Sequence, residues 1–288
     1  MADKDSEPRS PMKDFGWLAL FLIVLGVIWF AQGGASKLSS TMSPFLNPPE
    51  IAPSESSSSS DSSGETTAKG LTSSYKGKIS LNVWAAKETD PQNEYLEIRA
   101  YSDIKPISVS DWTVEDQRGL KFSLGRGANL FFLSQVNVQE PVILEPNGVV
   151  IVTTGRSPVG ASFRLNLCTG YFNQFQKFIP SLPQECPRID EKDIPQNFPD
   201  ACVDFIRGLS ACRMTVNAIP MEVGNDCTVF INEKINYSGC VAAYKNEKNF
   251  YRNEWRVYLN RNEEIWATRG TIILRDQDGE VVDEESYY

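Results

Sequence analysis

Residues 93–116 read NEYLEIRAYSDIKPISVSDWTVED, and their periodicity decides the fold class. From Glu94 to Tyr101, Leu96, Ile98 and Ala100 fall on one face while Tyr95, Glu97 and Arg99 fall on the other. Successive side chains of an extended chain point to opposite faces, so this is the pattern of a half-buried strand. Ile107 and Val109, then Trp112 and Val114, then Phe122 and Leu124 repeat it after short polar breaks, which predicts a meander of strands.

The pattern continues toward the C-terminus. Glu145-Pro146-Asn147-Gly148 has the chemistry of a tight turn, and Val149 to Thr153 (VVIVT) predicts a strand buried on both sides. Thr271 to Leu274 and Glu280 to Val282 flank Asp276-Gln277-Asp278-Gly279 as a hairpin. That Asp-x-Asp-Gly run lacks the downstream ligands of a calcium loop and is read as a turn.

These segments resemble the lamin-tail domain as it occurs in bacterial surface proteins. The resemblance rests on Asn93, Glu94, Glu97, Ile98, Pro106, Ile107, Val109, Trp112, Val114 and Asp116 over residues 79–167. Trp255 to Leu259, Ile265-Trp266 and the closing hairpin carry it at the other end. It implies an immunoglobulin-like β-sandwich over residues 76–288, used for binding, with no shared catalytic residues.

Residues 168–252 depart from that pattern. Cys202, Phe205, Ile206 and Leu209 form a helical stripe within 200–212, and helical pieces are expected at 226–235 and 240–250. All six cysteines lie between Cys168 and Cys240, and an even, clustered set implies disulfides in an oxidising compartment. Two antiparallel helices would pair Cys202 with Cys240 and Cys212 with Cys227, leaving Cys168 to Cys186, one of the fifteen ways to pair six cysteines. Zinc is disfavoured: there is no CxxC and no histidine. The aromatics Tyr171, Phe172, Phe175 and Phe178 are expected to seat this insertion on the sandwich, or, if exposed, to contact a ligand.

The first 75 residues differ in kind. Phe15 to Ala31 is almost wholly apolar, and seventeen residues at the helical rise reach about 25 Å, so residues 15–35 are expected to span a bilayer. A cleaved signal peptide is the alternative, with small residues at 32–36, but Trp17 and Trp29 near the ends favour an uncleaved anchor. Lys4, Arg9 and Lys13 precede the span and only Lys37 follows closely, which keeps residues 1–14 cytoplasmic and exports the rest. Residues 36–75, with their serine run and four prolines, read as a disordered stalk reaching roughly 30 to 40 Å.

Charge and composition exclude several functions. The chain carries a net charge of −9, and residues 76–288 hold 23 Lys/Arg against 29 Asp/Glu, so no basic footprint for nucleic acid exists. Without histidine there is no Ser-His or Cys-His catalytic arrangement. A carboxylate-based glycan hydrolase would need a pair of acids, yet Glu94 and Glu97 lie on opposite strand faces, and Glu263-Glu264 lie in a polar loop; all are read as solvated surface.

The expectation is therefore a non-catalytic, cofactor-free binding or adhesion module for an extracellular protein or glycan, tethered to the membrane through 15–35. The alternative is an accessory subunit of a cell-envelope complex held by its helix, although Gly16, Ala19, Gly26 and Ala31 make no clean dimerisation stripe.

Overall fold

A computed structural model describes residues 21–25, 27 and 72–288, which fall in two units, Met1–Glu65 and Thr66–Tyr288. In the first, residues 21–25 are helical and their side chains are exposed. Among the described residues no helix is long and apolar enough to cross a membrane. The rest of the expected span, the segment 1–14 expected in the cytoplasm and the expected stalk up to residue 71 lie outside the described residues.

The second unit is mainly sheet. Its strands are β1 (Ile79–Asn82), β2 (Tyr95–Ala100), β3 (Ile107–Ser108), β4 (Thr113–Asp116), β5 (Lys121–Ser123), β6 (Ile143–Leu144), β7 (Val149–Thr153) and β8 (Phe163–Asn166). Three helices follow, α1 (Asp200–Gly208), α2 (Asn225–Lys234) and α3 (Tyr237–Tyr244), before β9 (Tyr251–Tyr258), β10 (Gly270–Arg275) and β11 (Val281–Tyr287). A five-stranded sheet runs β1-β2-β7-β9-β8, a four-stranded sheet runs β11-β10-β4-β5, and β3 pairs with β6. The larger sheet is mixed, because β7 and β9 are parallel.

Register explains the layers. Leu96 lies opposite Val152, and Val152 opposite Val257; Ile98 lies opposite Val150, and Val150 opposite Trp255. These rows share one face and pack with Trp112, Val114, Ile272, Leu274 and Val282 from the second sheet in one buried core. The opposite face carries Ile151, Arg256 and Phe163. It is covered by the cysteine-rich stretch: Arg256, almost fully buried, donates from Nη1 to Pro180 O at 2.6 Å and from Nε to Glu254 at 2.8 Å. Hence the unbroken apolar run of β7, which has a second layer on each side.

Folded contacts extend to Thr72, four residues before the expected boundary at 76, where it bridges Val281. Ser73 N donates to Val281 O at 3.0 Å, and the Tyr75 ring sits 5.5 Å from that of Trp112. Helix ends follow local chemistry. Asp200 opens α1 and Arg207 closes it, each complementing the helix dipole. Asn236 caps α3 by accepting Gly239 N at 2.8 Å while its amide donates to Asn232 O at 2.7 Å. The asparagine of the Asn236-Tyr237-Ser238 sequon is thus engaged on both sides.

The cysteine pairing differs from the expectation in all three bridges: Cys168–Cys240, Cys186–Cys212 and Cys202–Cys227. The expected hairpin required residues 200–212 to be one helix. Instead α1 stops at Gly208, Leu209 is extended, and Cys212 takes a positive φ of 56°, which turns it toward Cys186. Cys202 and Cys227 then join α1 to α2 inside a small core of Ile194, Ile206, Val223 and Ile231. Cys240, on α3, is left to meet Cys168 at the end of β8. A side chain on Gly170 would run into Cys212 Sγ and Pro183 O, so this crossing requires glycine.

Candidate functional site

After β5 the chain leaves the sheet and returns through a ring closed at its neck. Gly127 N donates to Glu140 O at 3.0 Å and Glu140 N to Gly127 O at 2.8 Å. The neck is fixed to β8, because Ala128 N donates to Ser162 O at 2.8 Å and Arg164 N to Ala128 O at 2.9 Å. A Cβ on Gly127 would lie 3.0 Å from the Trp255 ring, so close approach dictates that residue.

Within the ring Phe131 turns inward, its centroid 5.9 Å from Phe163 and 5.6 Å from Phe172. Its neighbours turn outward: Phe132, Leu133, Val136 and Val138 are all exposed, Val136 to 98%. One side chain holds this shape. Asn137 Oδ1 accepts Phe132 N at 2.6 Å, and Nδ2 donates to Phe132 O at 3.0 Å and Gln135 O at 3.2 Å. Ser134 takes a φ of 62° at the bend. Those four side chains contribute nothing to the core, and an ordered patch of this kind marks an interaction surface.

The four aromatics named from sequence divide. Tyr171, Phe172 and Phe178 are buried and pack with Phe131, Phe163 and Tyr237 on the outer face of the larger sheet. Phe172 and Tyr237 are 4.4 Å apart, and Tyr237 Oη donates to Phe131 O at 2.7 Å. Burial pushes the Tyr237 phenol far above its ordinary range, with the Asn166 amide partly offsetting it, so it stays a hydrogen-bond donor. Phe175, at the end of the short helical turn Thr169–Gln174, is 58% exposed. Three of the four seat the segment; Phe175 alone faces outward.

Of the outward groups, Phe132, Leu133, Val136 and Phe175 border one cleft of about 630 Å³. Its walls come from the 131–139 ring, the 158–161 turn, and Phe175, Gln176 and Met214. Gln174 pins the last wall: Nε2 donates to Met214 O at 3.0 Å and Oε1 accepts Met214 N at 2.7 Å. A second groove of about 670 Å³ lies between residues 187–194 and the helices. There Arg207 on the rim pairs with Glu191 and Asp204. Those charges satisfy one another, whereas the first cleft has an unsatisfied apolar rim.

The ring at 128–139 was not singled out by periodicity, since it forms no regular element. Its visible signal is the absence of any charge between Arg126 and Glu140 in a stretch holding six large apolar residues. Glu94 also departs from expectation. It is fully buried rather than solvated, and it serves the backbone of residues 265 and 266. Glu97 binds Arg99 on the other face of β2. The Asp276 carboxylate accepts Asp278 N and Glu280 N, each at 3.0 Å, and so belongs to its own turn.

No protein-family model matches the chain, and no curated protein or solved structure is similar to it.

Proposed function

We propose that this chain is a non-catalytic binding module on an exported, membrane-tethered arm, and that its receptor face is the cleft bordered by the 131–139 ring and Phe175. The observation that carries the reading is the ordered ring itself, which exposes Phe132, Leu133, Val136 and Val138 at the expense of solvation. Three disulfides support an extracytoplasmic place for the folded unit. The N-terminal anchor at 15–35 rests on its apolar sequence and flanking charges. An immunoglobulin-like lamin-tail sandwich, with the cysteine-rich stretch as its insertion, is supported by the motif residues 93–116 falling on β2 to β4 and by Trp112 in the inter-sheet core.

The test is a photo-crosslinking amino acid at Val136 of the full chain in its own envelope. Discrete adducts that disappear in a Phe132→Asp variant support a receptor face. A side chain that crosslinks to nothing but water overturns it.

A further inference from the structure

The segments that carry the cleft-lining residues other than Tyr237, 124–139, 155–162, 169–179 and 212–219, contain no Asp or Glu, and Glu140 follows the first of them at the neck of the ring. They contain four cations: Arg126, Arg156, Lys177 and Arg213. All four are exposed, and among the described residues none takes part in an ion pair. Lys177 adjoins Gln176 and Arg213 adjoins Met214, both on the cleft wall. In a domain with 29 acidic residues, this is a local reversal of sign around an uncharged, apolar tip.

A tip of this kind has a specific physical complement. An anionic lipid bilayer presents a plane of negative headgroups, with an apolar phase beginning about 5–10 Å below. Cations that flank an apolar protrusion meet the headgroups while the protrusion enters the acyl boundary. Here the flanking charges are four cations against one acid, Glu140 at the neck, and Val136 at the tip is almost wholly solvated.

We infer that the partner of this face is the surface of an anionic bilayer, on which Phe132, Leu133, Val136, Val138 and Phe175 insert between headgroups neutralised by the flanking cations. The inference rests on the receptor face proposed above and names its partner. It adds a second membrane contact to the N-terminal anchor. Each Lys or Arg near such a surface is worth about a fivefold factor in binding, so three or four give on the order of a hundredfold or more.

The experiment uses the full chain reconstituted into phosphatidylcholine vesicles with and without phosphatidylglycerol, both carrying a spin-labelled lipid quencher. An environment-sensitive fluorophore is placed on the Val136→Cys variant or, as a control, on the Leu120→Cys variant; all six native cysteines are bonded and do not compete. Quenching at 136 but not at 120, confined to phosphatidylglycerol vesicles and lost at high salt, is the expected result. Lys177→Gln with Arg213→Gln should weaken the contact by about twenty-fivefold. The salt titration needs no variant, so it reports even if the double variant misfolds. Equal quenching with and without phosphatidylglycerol overturns the anionic requirement. No quenching at 136, together with a discrete protein adduct in the envelope, overturns the bilayer and leaves the receptor face standing. No quenching and no adduct overturn both.

Discussion

The carboxylate of Glu94 accepts the main-chain N–H of Trp266 at 3.0 Å across 172 positions of sequence. Its second oxygen takes the N–H of Ile265 at 3.2 Å, and the side chain is wholly shielded from solvent. Burial holds this carboxyl above its usual range, so the folded state binds a proton more readily than the unfolded chain. The stability from that difference is fully present below the unfolded value of 4.5 and is lost as pH rises through the folded one. Asp116 works in a separate window. Burial opposes its ionisation, but bonds from Arg118 and Leu120 hold it below 3.8, so its contribution is lost only as pH falls further. Denaturation midpoints measured across pH should therefore fall above about 4.5 in the native chain, and that slope should be absent from Glu94→Gln. Glu94→Ala should cost about 1–3 kcal/mol for each amide it strands.

Phe172 and Phe175 are three residues apart and should behave as opposites. Phe172 is buried against Phe131, Phe163 and Tyr237, so Phe172→Ala should destabilise the domain by about 3–5 kcal/mol in chemical denaturation. Phe175 is more than half exposed, and Phe175→Ser should shift stability by no more than about 0.5 kcal/mol. Equal losses would show that the Phe175 ring belongs to the core.

That division was not readable from the four aromatics themselves, because a dense cluster carries no period to separate inner from outer rings. Where period existed, sequence served well. Leu96, Ile98 and Ala100 alternate strictly and are all buried on one face of β2. Val149 to Thr153 lacks alternation because both faces of β7 are covered. The helix of residues 200–212 was legible at its start, through Cys202 and Ile206, but not at its end, because nothing local announces the positive φ of Cys212. That one backbone turn re-routed all three disulfides. The burial of Glu94 is hidden in sequence for a similar reason: its partners, Ile265 and Trp266, lie in a distant loop that no strand pattern places beside β2.

The three bridges should also differ in what they hold. Non-reducing peptide mapping should return Cys168–Cys240, Cys186–Cys212 and Cys202–Cys227. The last closes a loop of 25 residues, so removing it with a paired serine substitution should cost about 3.5 kcal/mol by loss of chain entropy. Because Cys202 and Cys227 sit in the separate core of α1 and α2, amide exchange should rise there and leave β2, β7 and β9 protected. Cys168–Cys240 spans 72 residues and lies in the core shared with Phe163 and Phe172. Its removal should cost about 4.4 kcal/mol and loosen the outer aromatic layer as well.

Asn137 gives the sharpest separation between stability and recognition. Its side chain makes three bonds to the main chain of the 131–139 ring and none to the rest of the domain. Asn137→Ala therefore removes the cinch while the neck bonds of Gly127 and Glu140, and the buried Phe131, stay in place. Global stability should change by less than about 1 kcal/mol, since the bonds lost are exposed. Amide exchange at residues 132–138 should rise sharply, because opening of the ring no longer breaks those contacts. Contact by the tip should weaken as well, since the free ring must then be ordered on binding at about 1 kcal/mol or more per residue fixed. Fluorophore quenching at residue 136 on vesicles, measured with and without Asn137→Ala, reads that loss directly. Unchanged exchange at 132–138 would show that the neck alone orders the ring and that Asn137 is dispensable.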